Sequence, residues 1–405
     1  MYFYHHLSLI FKEKFYTQFA ASCILIYSIR FLDFTVIAYI LTNVTNNAAS
    51  IGALVFIKFI PMIFSGVLSG WLVDKFSRLI VIKLVILTYS IYLLLWAIYI
   101  SFYSPNIELI FIFTFFSGIL MSVDISSRIS YLSSLVKRRI IKSGIAANVI
   151  YINLAWFIGP NIGMFILEIS GFILLYISLS IINIFGLIIL IKIPKLKIMS
   201  HKIKTYSGFK AGFSFAKTKP IILVTLIIIS LGNFFAFTFE SMSPYFAKFI
   251  YDASPLEFSF MVSCQGLGAL IGSIFLLPMI VRISRPALVF LISTIFLCLG
   301  SIVFTYIPSF IFACIILIAL GTGTTFFMNM HSRILITQTP NPLRGRVNGL
   351  QQLGISLFPI GSLITGFIGD SLGVSQSMRI MSILGILCLI TVSYTHLTLP
   401  TICSV

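Results

Sequence analysis

Charge is what this sequence has least of. Only 9% of its 405 residues are Asp, Glu, Lys or Arg, where a soluble globular domain carries about a quarter. That scarcity excludes a water-soluble globule. With 59% hydrophobic residues and a mean hydropathy of +1.10, the chain reads as an all-α, polytopic membrane protein. Acids are scarcest, 10 Asp and Glu against 27 Lys and Arg. Cysteines are few, and Cys23, Cys264, Cys298, Cys314, Cys388 and Cys403 show no C-x-x-C spacing. They read as small packing residues, not a disulfide or metal framework, and no metal or cofactor is expected. No glycine-rich loop ends in Lys-Ser or Lys-Thr, which argues against ATP-driven pumping. No filter-like loop or acidic ring points to a channel. A membrane-embedded lipid-modifying enzyme needs a His paired with Asp or Ser near one interface, and His5, His6, His201, His331 and His396 offer no such motif.

What is present is a series of apolar stretches of about 20 residues, each long enough to cross a bilayer. About twelve occur, near 15–41, 51–73, 79–101, 107–131, 143–168, 171–192, 220–246, 256–281, 286–307, 309–331, 344–369 and 374–392. The basic residues sort into alternate loops. Lys75, Arg78 and Lys83 follow the second span, Lys137 to Lys142 the fourth, eight lysines the sixth, and Arg344 and Arg346 the tenth. The turns 42–50, 102–106, 169–170 and 307–309 hold neither Lys nor Arg, and Lys248 is the main exception. This alternation predicts a cytoplasmic N-terminus, with the first span as an uncleaved signal. The net charge of +17 is therefore topological. It suits anionic lipid headgroups, not nucleic acid.

The second and third spans are joined by Gly70-Trp71-Leu72-Val73-Asp74-Lys75-Phe76-Ser77-Arg78. So short a charged link requires a hairpin. Gly66 and Gly70 have the small-xxx-small spacing that lets a neighbouring helix approach. Asp74 stands where a carboxylate can bond the free N–H groups of a helix start or pair with an arginine. Gly70, Leu72, Asp74, Lys75 and Arg78 match the G-x-L-x-D-(R/K)-x-G-R signature, with Ser77 at its second glycine. The stretch thus resembles the major facilitator superfamily.

The two halves echo each other. Asp124-Ile-Ser-Ser-Arg128 returns as Asn329-Met-His-Ser-Arg333, Gly144 to Asn148 as Gly345-Arg346-Val347-Asn348, and Pro160 as Pro359. Three echoes in order predict two related six-helix bundles. The expected division is an N-terminal half 1–192, a basic, partly amphipathic linker 193–219 and a C-terminal half 220–392. Residues 393–405 turn polar and Thr-rich and read as a tail foreign to the protein.

Ionisable groups at membrane depth are costly and usually face a cavity or a partner. Asp33, Asp124 and Glu240 are the acids well inside spans. Carboxylates in poorly solvated surroundings can exchange protons near neutral pH. Each has a plainer reading. Arg30, one turn away, is a partner for Asp33; Arg128, at i+4, is one for Asp124; Glu240 can snorkel toward an interface. Arg128 and Arg333 occupy matching places, where each either meets an anionic substrate group or pairs with acids. Lys58 in the second span is equally open. Gly159, Pro160 and Gly163 form a bend in the fifth span, serving as a hinge or as a packing kink. Asn233, Gln265, Gln351 and Gln352 either bond substrate or join helices.

Further stretches resemble the macrolide-efflux and enterobactin-exporter branch. They are Asp33 in the first span, Gly208 to Pro220, Gly266 to Ser273, and Pro342-Leu-Arg344-Gly345-Arg346-Val347, the last being the most specific. Leu32 and Ser207 depart from the branch pattern. The resemblance implies a drug or metabolite exporter driven by proton motive force, and the expectation is a monomer that exports drug-like molecules by proton antiport and contributes to multidrug resistance. Siderophores or lysophospholipids are the alternative cargo.

Overall fold

A computed structural model describes residues 9–63, 77–137, 140–193, 208–276, 283–340 and 343–396. Among these the chain is helical, without strands. The first five helices are α1 (Tyr16–Val44), α2 (Ala48–Phe59), α3 (Arg78–Phe102), α4 (Ile107–Leu135) and α5 (Ile141–Ile189). Then come α6 (Gly208–Thr218), α7 (Pro220–Leu231), α8 (Thr238–Tyr245) and α9 (Pro255–Ile271). The series ends with α10 (Pro286–Phe304), α11 (Phe310–Gln338), α12 (Arg344–Ile355), α13 (Leu357–Leu372) and α14 (Val374–His396).

Local chemistry sets several of these starts. The Asn106 side chain accepts the Leu109 N–H at 2.9 Å and caps α4. Ser254 and Glu257 form a reciprocal capping box before α9, with Ser254 N–H to Glu257 Oε2 at 2.9 Å. Pro220 and Pro286 stand at the first turns of α7 and α10, where a missing N–H costs nothing.

Ten described helices are long and apolar enough to cross a membrane. One of them is a 47-residue stretch, Ser143–Ile189, that bends at Gly171 (φ 75°, ψ 175°). A positive φ there suits glycine and separates two passes, where the sequence placed a turn. The second span is described only as far as Ile63. These two observations carry the count from ten toward about twelve. Large aliphatic and aromatic side chains left exposed on the helices, such as Ile98, Phe116 and Ile169, are those a bilayer would cover.

The described residues form two compact units. One draws on Met1–Thr45, Ile60–His201 and Ala253–Leu267; the other on Asn46–Phe59, Lys202–Asp252 and Gly268–Val405. In the first, Tyr16, Phe19, Cys23, Ile26, Leu79, Ile82 and Tyr131 form a buried core. Gly159 and Gly163 lie against the Ser28 carbonyl and the Leu32 side chain, so α5 meets α1 almost backbone to backbone. The helix continues through Pro160, and the non-helical φ/ψ in α5 falls at Gly171. In the second unit, α2 packs along α13, where a Cβ on Gly52 would meet the Ser362 carbonyl at 2.5 Å. The amphipathic α6 rests on α12: a Cβ on Gly212 would stand 3.0 Å from the Arg346 Cβ. The helix α14 runs through Ser393 to His396, while 397–405 lie outside the described residues.

Candidate functional site

The charged residues of the first unit converge. Arg30 and Asp33 leave α1 one turn apart, while Asp124 and Arg128 leave α4 at i, i+4. All four are buried, none more than 4% exposed. The Arg128 Nε donates to Asp124 Oδ2 at 2.7 Å. The same oxygen lies 3.5 Å from Arg30 Nη2. Arg30 thus pairs with Asp124 across helices, not with Asp33 on its own helix. Its guanidinium sits over the Tyr89 ring, 4.9 Å from the centroid, and its nitrogens make no hydrogen bond.

Asp33 is held by hydroxyls. Tyr89 and Tyr92, on α3, donate to Asp33 Oδ2 at 2.6 and 3.3 Å. Arg128 Nη1 reaches Ser22 Oγ at 3.4 Å and Cys23 Sγ at 3.5 Å, and its guanidinium lies 5.8 Å from the Tyr27 ring centroid. The Tyr27 hydroxyl donates to Asn148 Oδ1 at 3.4 Å. The polar network therefore joins α1, α3, α4 and α5. Buried ions cost several kcal/mol each unless they are paired and hydrogen-bonded. Arg128 is both, whereas Arg30 is paired but not hydrogen-bonded, and Asp124 Oδ1 also lacks a hydrogen bond. Arg30 is the less satisfied cation of the cluster, since Arg128 leaves only Nη2 without a hydrogen bond.

An apolar groove of about 330 Å³ lies between α3 and α4, lined by Ile91, Tyr92, Leu95, Ile112, Phe113 and Phe116. Tyr92 is thus both a wall of this groove and a ligand of Asp33.

The other expected residues lie elsewhere. Glu240 is on α8 in the second unit, half-buried, between π-helical turns at Gly232–Ala236 and Phe246–Ile250. Such turns are frequent at functional sites. Its carboxylate has no ion pair among the described residues. Gly70, Asp74 and Lys75 lie outside the described residues. Arg78 opens α3 and donates to the Ser130 carbonyl at 2.9 Å and Ser134 Oγ at 2.5 Å, tying α3 to α4. Arg344, Gly345 and Arg346 open α12, with Arg344 Nε on the Thr339 carbonyl at 3.1 Å. His331 and Gln351 meet at 3.1 Å, so that pair joins α11 to α12. Tyr89 and Tyr92 carry no sequence signal, because 17 tyrosines hide the two that matter, and Asn148 shows in the sequence only as part of the echo between the halves.

Long apolar helices around a buried charged cluster are the features of a polytopic membrane protein with a polar path. The family model described as "Transmembrane secretion effector" matches residues 13–404, and the chain belongs to that family. It is a multi-pass membrane transporter, not an enzyme. The chain is similar to the Staphyloferrin A transporter of Staphylococcus aureus (strain NCTC 8325 / PS 47), 22% identical over 86% of this chain and 88% of that protein. It is also similar to the Enterobactin exporter EntS of Shigella flexneri, 25% identical over 65% of this chain and 63% of the exporter. The chain thus spans less than two thirds of the exporter's length. Among solved structures, a bacterial homolog to the human lysosomal transporter Spinster, inward-facing and unoccupied, superposes with a TM-score of 0.69. It is 14% identical, and the match covers 95% of this chain and 98% of that one. The nucleoside transporter NupG superposes with a TM-score of 0.66 at 13% identity, over 94% and 98%. At such identities the likeness is one of fold.

Proposed function

We propose that this protein is a secondary active exporter of amphipathic small molecules in the bacterial cell membrane, working by proton antiport. The observation that carries the reading is the burial of Arg30, Asp33, Asp124 and Arg128 together inside membrane helices. So expensive a cluster is the default mark of a substrate or ion path. In this account the chain is a monomer with a cytoplasmic N-terminus. Its halves, 1–192 and 220–392, alternate access to a midplane site. Asp33 is the coupling group. As a carboxylate it accepts bonds from Tyr89, Tyr92 and a donor on the cargo; a proton on it removes that acceptor, so proton and cargo compete. Competition of this kind is what antiport requires.

A second reading, a siderophore as cargo, is favoured by Arg30. Its guanidinium N–H groups make no hydrogen bond and its ion pair to Asp124 is long, at 3.5 Å, so a cargo anion would find donors there. The names of the two relatives point the same way. An anion leaving a cell with a negative interior gains about 2.3 kcal/mol per charge per 100 mV, so such cargo needs no competing proton. The two readings separate in inverted membrane vesicles offered macrolides, cationic dyes, a catechol siderophore and lysolipids. Proton movement on adding a dye or macrolide, lost in Asp33→Asn, supports antiport. Uptake of the siderophore without proton movement, lost in Arg30→Gln, supports the second reading. Transport that survives both substitutions rejects the cluster as the site.

A further inference from the structure

A single acidic side chain organises the start of α2. This helix has no acid of its own in its first turn, so its leading N–H groups need acceptors from elsewhere. Asp370, near the end of α13 and 322 positions away, supplies them. Ala48 N–H donates to Asp370 Oδ1 at 2.7 Å and Ala49 N–H to Oδ2 at 3.3 Å. Asn47 Oδ1 takes the next, from Ser50, at 3.1 Å. Behind this cap the two helices touch through glycines. A Cβ on Gly366 would stand 2.6 Å from the Ala48 carbonyl, and one on Gly369 would stand 3.3 Å from the Ala48 Cβ. The carboxylate holds α2 by its end, and the glycine face keeps its flank.

Two features make this contact reversible. Asp370 is exposed, so water can take over its carboxylate oxygens when it leaves the buried Ala48 and Ala49 N–H groups, and a charge near a helix end stabilises only modestly. The contact also falls where the chain passes from one compact unit to the other, between Thr45 and Asn46. We infer that Asp370 is a gating residue of the transport cycle. Its carboxylate latches the N-terminus of α2 to α13, and the cycle makes and breaks that latch. The inference rests on the transport reading above. It assigns to α13 a carboxylate cap at the opposite end of the second span from Asp74.

The test uses the full chain in liposomes, its six cysteines replaced and spin labels placed at Asn46→Cys and Leu372→Cys, both exposed positions flanking the latch. With Asp370 intact, dipolar broadening should report one close pair. Asp370→Asn, which removes the charge, should raise the separated population several-fold, and Asp370→Glu should restore the close pair. Elution profile and melting temperature, matched to the parent, exclude misfolding, and Asp370→Ala repeats the test at the same exposed site. Unchanged broadening in both the Asn and Ala variants overturns the latch. The readout needs no cargo. A shift in Asp370→Asn in a protein that moves no compound would sink the transport reading while leaving the latch in place.

Discussion

Asp124 and Arg128 show what a buried ion pair does and does not do. Their 2.7 Å bond offsets two desolvation costs and is weak evidence for stability. Breaking it from one side is different, because the survivor is left uncompensated. Arg128→Ala should lower stability by about 3–5 kcal/mol, read as a depressed melting temperature in detergent. Adding Asp124→Asn should restore part of the loss; an additive loss would contradict the pairing. Arg30 should behave otherwise, having no hydrogen bond to forfeit. Arg30→Gln forfeits the 3.5 Å ion pair and the Tyr89 ring contact but leaves Asp124 paired to Arg128, so it should lower the melting temperature less than Arg128→Ala and weaken anionic cargo selectively, as competition between anionic and neutral compounds would show. The i, i+4 pair was legible in the sequence because spacing alone sets it. The bridge from Arg30 to Asp124 was not, because spacing within one helix favours Asp33 and only packing chooses between the two acids. The tyrosines on Asp33 were hidden by the abundance of aromatic residues.

Glycine decides how closely the helices pass. Gly159 sits against the Ser28 carbonyl, so Gly159→Val should prevent α5 from seating on α1 and abolish a monodisperse elution profile. Gly345 has nothing near it, and Gly345→Ala should elute like the parent. Gly171 is a third case, also open around its Cα but with φ at 75°. Gly171→Ala should cost about 1–2 kcal/mol through backbone strain alone, measurable as a small drop in melting temperature. Helix positions were legible at this scale because long apolar runs in lipid have one stable form. The partition of α2 was not: its sequence belongs to the first half, yet its described residues pack in the second unit along α13. That choice is made by Gly52, Gly366 and Asp370, whose roles depend on a surface 300 residues distant.

For the whole molecule, hydropathy and the charged sequence motif around Asp74 were enough to place the chain among major facilitator transporters, and the family match agrees. Cargo is harder to read, because a cavity accepts many shapes while composition records only its polarity. Arg30, Asp33, Asp124 and Arg128 are proposed to form the transport and coupling site. The most direct test follows internal pH in energised inverted vesicles as a transported dye or macrolide is added, with Asp33→Asn at matched expression. Proton efflux is expected in the parent and none in the variant. Equal proton efflux and equal cargo uptake in both would contradict it.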